Sequence, residues 1–416
     1  MITNKKQIRC GLIGEKLGHS FSPRIHSLLA DYSYTLFEMP EHEVGSFLKS
    51  GSFDATNVTI PYKKTVMPFL DEISDEAKRI GSVNTITRLP NGGLKGDNTD
   101  YYGFWYTVEK SGIRIKDKNV LILGTGGASL TARTVSADMG AKSITFVSRS
   151  GEINYENVYE KCADTEVIIN CTPVGMYPKN LTAPVSLDQF SQCEGVIDMI
   201  YNPAKTKLLL DAERLGIKYK NGLSMLVAQA KKACELFLGE AIDDCEIDRI
   251  TESIARETSN IILIGMPGCG KTTVGRILSE MTGRQVVDTD EMITKANDRS
   301  PAEIIRADGE DGFRVIEHQE VCNAGKLSEK IISTGGGVVT REENYLPLHQ
   351  NGQIVFIHRP IEKLATDDRP LSQKQRLSDM YAHRLPMYRR FCDLEVSNDT
   401  TPEECAQKLL RLLEEK

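Results

Sequence analysis

Short runs of consecutive apolar residues, each ending in a glycine turn, punctuate the chain. Val120, Leu121, Ile122 and Leu123 lead into Gly124; Ile261, Ile262, Leu263 and Ile264 lead into Gly265; Ile331 and Ile332 lead through Ser333 and Thr334 into Gly335. A strand buried on both faces shows no apolar–polar alternation, so these runs predict strands of parallel sheets. Ile144 to Val147, Val167 to Ile169, Val196 to Met199 and Ile354 to Ile357 predict further strands. Between them the pattern turns helical, as over Leu223 to Leu238 and Val274 to Met281. Strand and helix in alternation predict α/β architecture in both halves of the chain.

The halves meet between Asp244 and Asn260. Glu246 to Glu257 is charged, yet Ile247, Ile250 and Ile254 recur at helical spacing. The first glycine turn comes only at Gly124, so residues 1–100 read as a separate substrate lobe and 101–239 as a nucleotide-binding lobe. Residues 240–258 then form a short ordered linker and 259–416 a second domain. A chain of 416 residues suits two or three domains. No apolar stretch approaches the roughly 20 residues that cross a bilayer, and the N-terminus has no long apolar region, so neither a membrane span nor a signal peptide is expected. Ten cysteines are scattered singly without a C-x-x-C, which suits reduced thiols and a cytoplasmic protein. The net charge of −7 argues against a nucleic-acid or membrane-surface role, so anion binding must come from local sites.

Gly265 to Thr272 fits G-x-x-x-x-G-K-[ST] in full, after a strand and before a helix. Gly265, Gly268 and Gly270 let backbone N–H groups close round phosphates; Lys271 neutralises them, and Thr272 holds Mg²⁺. Asp288 and Asp290 follow at the end of an apolar run. One can serve Mg²⁺ through water, and the other can take a proton from an acceptor hydroxyl. Then come Gly309, Glu310, Phe313, Arg314 and Glu317, the triplet Gly335 to Gly337, Arg369-Pro370-Leu371, and Arg384, Pro386 and Tyr388. In this order the motifs resemble shikimate kinase over Asn260 to the C-terminus. The resemblance implies that Arg314 and Arg384 clamp the carboxylate of shikimate and that Asp290 contacts the hydroxyl to be phosphorylated. It implies that Gly336 and Gly337 let backbone approach the ring. ATP would be held by the loop and Thr273, with Arg369 on a closing lid assisting Lys271. An arginine that usually precedes the R-P-L element and packs on adenine is missing, and the lid is short.

In the first half, Gly124, Gly126, Gly127 and Ala128 form a dinucleotide-type turn after a strand. At the end of the next strand stand Ser148, Arg149 and Ser150, where an arginine favours the 2′-phosphate of NADP over NAD. Between Arg149 and Ala163 there is little room for a further helix and strand, so this lobe reads as trimmed. Ser20-Phe21-Ser22-Pro23, Asn57 to Lys63, Ser82 to Thr85 and Gly96 to Asp100 precede the turn; Asn170 to Met176, Asp198 to Pro203 and Gly222 to Gln229 follow it. Together these resemble shikimate dehydrogenase over Arg9 to about Gly239.

That resemblance implies a two-lobed enzyme with a Rossmann-like NADP lobe, ahead of the P-loop domain. Lys63 and Asp100 would form the acid/base pair, and Ser20 and Ser22 would bind the substrate carboxylate. Thr59, Asn84, Asp100 and Gln229 would bond ring hydroxyls, with Tyr201 and Met225 flanking substrate and nicotinamide. The two resemblances imply consecutive reactions: 3-dehydroshikimate is reduced to shikimate with NADPH, then shikimate is phosphorylated with ATP. Self-association through the dehydrogenase half is left open. The alternative is an NAD-using quinate/shikimate dehydrogenase joined to a degenerate, regulatory kinase-like module.

Overall fold

The computed structural model describes residues 8–18, 20–364 and 371–415. The chain forms two compact units. The first holds Met1–Gly175, Thr182–Tyr201 and Thr206–Ile254; the second holds Met176–Leu181, Asn202–Lys205 and Ala255–Lys416. Among the described residues no helix is long and apolar enough to cross a membrane, and all ten cysteines are free thiols.

The first unit has two sheets. One comprises β1 (Arg9–Gly14), β2 (Ser33–Glu38), β3 (Ala55–Val58), β4 (Glu72–Ile73), β5 (Thr85–Arg88) and β6 (Leu94–Asp97) in the order β2-β1-β3-β5-β6-β4. It is mixed: β1 runs parallel to β2 and β3, and β5 runs antiparallel to β3 and β6. The other comprises β7 (Asn119–Leu123), β8 (Ser143–Val147), β9 (Val167–Asn170), β10 (Gly195–Asp198) and β11 (Lys218–Lys220) in the order β11-β10-β9-β7-β8. Every pairing in it is parallel. The crossover from β8 to β9 contains a single helical turn, Val158–Lys161, as the short spacing predicts. The helix Cys245–Thr258 buries Ile247, Ile250 and Ile254 against Ile25, Tyr106 and Leu223 of this unit.

Two helices cross closely within the first unit. Gly103, in the helix Asp100–Ser111, faces the helix Leu223–Leu238. A Cβ at Gly103 would lie 2.7 Å from the Met225 carbonyl oxygen and 3.0 Å from Gln229 Cβ. The missing side chain therefore sets the spacing that brings Gln229 beside the N-terminus of the helix carrying Asp100.

In the second unit β12 (Asn260–Ile264), β13 (Val286–Asp288), β14 (Ile331–Ser333), β15 (Gly352–His358) and β16 (Leu394–Ser397) form a parallel sheet in the order β13-β14-β12-β15-β16. The strand before the phosphate-type loop, β12, is central and fully buried. The buried Gln350 donates from Nε2 to the Asn180 carbonyl at 2.8 Å, which ties the Met176–Leu181 segment into this unit. The helical span Pro301–Gly325 starts on a capping box, Ser300 with Glu303, and kinks at Gly309, where φ is 78°. Glycine accepts that backbone without a Cβ penalty. After the kink, Glu310, Arg314 and Glu317 share one helix face.

Gly103→Ala should force the two helices apart and destabilise the first unit by about 1–3 kcal/mol. Urea unfolding followed through the fluorescence of Trp105, the sole tryptophan, checks this; an unchanged midpoint would contradict the steric argument.

Candidate active sites

The first site grows from the ends of β3, β5 and β6. Lys63 lies in the turn after the cis Ile60-Pro61 bond, and Asp100 opens the helix Asp100–Ser111. The Lys63 ammonium donates to Asp100 Oδ2 at 2.6 Å. Asn84 donates through Nδ2 to Asp100 Oδ1 at 2.9 Å, and its own Oδ1 accepts from the Thr99 backbone N–H at 2.7 Å. Both oxygens of Asp100 are thus committed, which fixes the direction of the Lys63 ammonium.

Behind this triplet lies a chain of polar groups to which the sequence reading gives no role, although Asn57 and Thr85 stand in its motifs. Thr85 donates to Asn84 Oδ1 at 3.0 Å, Asn57 donates to Thr85 Oγ1 at 3.2 Å, and the Tyr34 hydroxyl donates to Asn57 Oδ1 at 2.8 Å. Tyr34 stacks on His26 with ring centroids 4.1 Å apart, and burial pushes the His26 imidazole down to about 3, so it is neutral at physiological pH. Buried polar groups joined in series in this way hold one another's orientation. Single Asn and Thr residues carry no sequence signal for it.

The other expected residues surround the pair. Ser22 donates its backbone N–H to Ser20 Oγ at 3.2 Å, which places both hydroxyls at the start of one helix. Thr59 follows β3 and packs its methyl at the position a Cβ on Gly14 would need. Tyr201 sets its ring edge-on to Phe21, centroids 6.0 Å apart. Gln229 donates to the Leu226 carbonyl one turn back in its own helix, and Met225 lies on the first turn of that helix.

The dinucleotide turn leaves β7 at Gly124, with φ at 98°, and Gly126 caps the helix Gly127–Asp138. A Cβ on Gly126 or Gly127 would meet nothing within 4 Å. The start of this helix is therefore uncrowded, which fits a pyrophosphate. Ala128 lies in the first turn of that helix. Ser148, Arg149 and Ser150 follow β8, which pairs Val147 with Leu123 beside the turn. Ser148 donates its backbone N–H to the Ile153 carbonyl, and Arg149 and Ser150 are exposed.

The second site surrounds the loop after β12. Gly265, Gly268 and Gly270 all have positive φ, at 150°, 79° and 98°. Buried Lys271 donates to the carbonyls of Gly265 at 2.8 Å and Met266 at 3.1 Å, so the loop wraps its ammonium. Thr272 and Thr273 are exposed on the first turn of the following helix. Asp288 caps the next helix, accepting from the Asp290 N–H at 2.9 Å. Thr272 and Asp288 supply oxygen donors, as Mg²⁺ requires.

Asp290, Arg314 and the glycine triplet converge. Gly335 donates to Thr289 Oγ1 at 3.1 Å, and a Cβ on Gly335 would lie 2.9 Å from Asp290 Oδ1 and 3.0 Å from Glu317 Oε1. A Cβ on Gly337 would fall within 2.4 Å of the Arg314 guanidinium. Arg384 donates to the Gly336 carbonyl at 3.1 Å, and Tyr388 donates to the same oxygen. Arg314 donates to Glu317 at 2.7 Å and Glu310 at 2.9 Å. Burial pushes the carboxyls of both Asp290 and Glu317 up, against the pull of Arg314. Glu317 is buried, and its Oε1 has no hydrogen-bond partner among the described residues; helical spacing from Arg314 is the only sequence sign of its role. Arg369 lies outside the described residues.

A family model described as the shikimate dehydrogenase substrate-binding domain matches residues 12–86, and one described as shikimate kinase matches residues 267–414. The shikimate dehydrogenase (NADP(+)) of Clostridium beijerinckii is 40% identical over 265 residues, which is 59% of this chain and 95% of that protein. That of Methanosphaera stadtmanae is 37% identical, covering 58% of this chain and 94% of its own length. A chorismate mutase/shikimate 5-dehydrogenase fusion protein from Clostridium acetobutylicum superposes with a TM-score of 0.56 at 38% identity, over 60% of this chain and 97% of that one. A shikimate 5-dehydrogenase from Thermus thermophilus, solved with NADP(H) and shikimate, gives 0.54 at 27% identity over 59% and 99%.

Glu317→Ala would leave the Arg314 guanidinium buried beside one exposed carboxylate. It should destabilise the second unit by about 3–5 kcal/mol, seen as an earlier thermal transition of that unit; a shift within error would mean the pair is not holding charge.

Proposed function

Since the chain belongs to the shikimate dehydrogenase family through its first part and carries a shikimate kinase domain after it, we propose that it catalyses two consecutive reactions. It reduces 3-dehydroshikimate to shikimate with NADPH, then phosphorylates shikimate with ATP and Mg²⁺ to shikimate 3-phosphate. The observation that carries this reading is the coexistence in one chain of the Lys63–Asp100–Asn84 triplet and a phosphate loop flanked by Asp290, Arg314 and Arg384.

In the first site, NADPH supplies the hydride when bound. Ser20 and Ser22 hold the substrate carboxylate, and Thr59, Asn84 and Gln229 orient the ring by its hydroxyls. Lys63, fixed by Asp100, delivers a proton to the carbonyl oxygen as negative charge develops there. Arg149, exposed at the end of β8, takes the 2′-phosphate.

In the second site, ATP supplies the phosphoryl group. Arg314 and Arg384 hold the acceptor's carboxylate by planar donor pairs. Asp290 takes the proton of the attacking hydroxyl, and Lys271 steadies the charge on the phosphates. Thr272, and Asp288 through water, would hold Mg²⁺.

A coupled assay with 3-dehydroshikimate, NADPH, ATP and Mg²⁺ tests both halves on the full chain. NADPH loss should be followed by equimolar ADP. Lys63→Ala should cut reduction by about 10²–10⁴-fold yet phosphorylate added shikimate normally, and Lys271→Ala should cut phosphorylation by about 10²–10³-fold and leave reduction intact. Shikimate accumulating without ADP would sink the kinase reading, and preference for NAD with quinate would overturn the cofactor and substrate assignment.

Kinase pH dependence follows from Asp290. Burial first and the Asp288 charge second raise its carboxyl above the ordinary value. Only the ionised form accepts the proton, so activity is lost as pH falls, beginning at higher pH than for an ordinary aspartate. The acid limb of kcat/KM for shikimate should lie higher than an ordinary aspartate would set it and move down in Asp288→Asn. A limb in the ordinary range would count against Asp290 as the base.

A further inference from the structure

One buried carboxylate of the first unit takes no part in the chemistry above. Asp198 ends β10 in register with Asn170 at the end of β9, and both residues are fully buried. Asn170 Nδ2 and the Ile200 backbone N–H donate to Asp198 Oδ1, each at 3.0 Å, and the Thr206 hydroxyl donates to Oδ2 at 2.6 Å. Burial pushes this carboxyl up to about 6 against the pull of the three donors, so it is ionised at neutral pH. A buried anion is costly, and an amide of the same shape cannot replace it here. Only a group without N–H hydrogens accepts from all three donors at once.

The donors belong to the segments that leave the sheet at this edge. Asn170 Oδ1 accepts from the Thr172 backbone N–H at 3.0 Å and from its hydroxyl at 2.7 Å, and Thr172 Oγ1 accepts from the Val174 N–H at 3.2 Å. The turn after β9 is thus wound round Asn170. It ends at Gly175, φ 107°, where a Cβ would lie 3.1 Å from Thr206 Cβ. The Ile200 carbonyl accepts from the Gly222 N–H at 3.1 Å, and the Met199 carbonyl leaves no room for a Cβ on Gly222. Both contacts seat the start of the helix that carries Met225 and Gln229. With the sheet order β11-β10-β9-β7-β8, a dinucleotide whose phosphates lie at the turn after β7 and whose 2′-phosphate lies past β8 extends its other end over β9 and β10. Resting on the reading of this lobe as NADPH-binding, we propose that Asp198 is a positioning residue for the nicotinamide: it locks the turn after β9, the segment Met199 to Tyr201 and the start of the Met225 helix into one arrangement.

The test compares the full chain with Asp198→Asn, whose amide turns a donor toward Thr206 or toward Asn170 and Ile200. The Kd for NADPH should rise about tenfold, while that for adenosine 2′,5′-bisphosphate, which has no nicotinamide, should stay within about twofold. The kcat for reduction should fall about 10²-fold as the ring is misplaced, and phosphorylation of added shikimate should not change. Thr206→Val, which takes the donor from Oδ2, should move the NADPH Kd and kcat in the same direction. Thr206→Ser, which keeps the hydroxyl, should leave both as they are. Equal weakening of NADPH and the bisphosphate, or an unchanged NADPH Kd and kcat, would overturn the proposal; if Asp198→Asn does not fold, the Thr206 pair decides it. If the unaltered chain binds NADPH but leaves 3-dehydroshikimate unreduced, the substrate reading falls, and the binding comparison still decides the role of Asp198. If it takes NADH instead, the cofactor reading falls, and NADH against ADP-ribose decides that role.

Discussion

Parallel pairing of strands that are apolar on both faces is the constraint on which the nucleotide lobe and the second unit both depend. Such a strand can only return through a crossover, so all strand C-termini gather at one edge of the sheet. The backbone must then turn sharply as it leaves the core, and Gly124 and Gly265 do so at positive φ. Each turn points the N-terminus of a helix outward from that edge. Phosphate binding is thus a by-product of how a buried strand ends. A chain with net charge −7 can hold anions there because backbone N–H groups and one lysine do the work locally.

The acid–base groups obey a second constraint: a charge drawn out of water needs fixed partners. In the first unit Asp100 has both oxygens bonded, and the order runs back through Asn84, Thr85 and Asn57 to Tyr34. In the second unit the balance is tighter. Arg314 faces Glu317 and Glu310 and lies close to Asp290, yet burial still wins at both Asp290 and Glu317. Raised carboxyls beside a buried guanidinium hold their protons less firmly than apolar burial alone would dictate and more firmly than open water would. On the proposed reading, a base at Asp290 would take up a proton more readily for that rise.

How much of this was legible in the sequence follows the same physics. The runs at Val120 to Leu123 and Ile261 to Ile264 announced their strands because consecutive branched residues have no other place to be buried, and the helix Leu223–Leu238 was readable to its ends. The strands of the substrate lobe were not, since β2 is partly exposed along its length and β4 spans two residues. Edge strands lack an apolar run to betray them. Glycine loops and paired carboxylates stood out as motifs, whereas Glu317 was named one turn past Arg314 without a role, and its burial against that guanidinium had no local signature. The inclusion of Met176–Leu181 and Asn202–Lys205 in the second unit had no local signature, because both segments are defined by what they pack against.

The two sites differ in how they would grasp the same carboxylate. At the first, Ser20 and Ser22 offer neutral hydroxyls at the start of a helix; at the second, Arg314 and Arg384 offer guanidinium donors. Hydrogen bonds from an ionised donor are roughly twice as strong as neutral ones. A product held by neutral groups leaves readily, and one held by charge-assisted groups is retained at lower concentration. Arg314 keeps only part of its five donors for a ligand, because Glu310 and Glu317 take two of them, so this second grip is moderated by the protein's own acids. On the proposed reading, the two sites would hold the carboxylate of shikimate by donors of different charge.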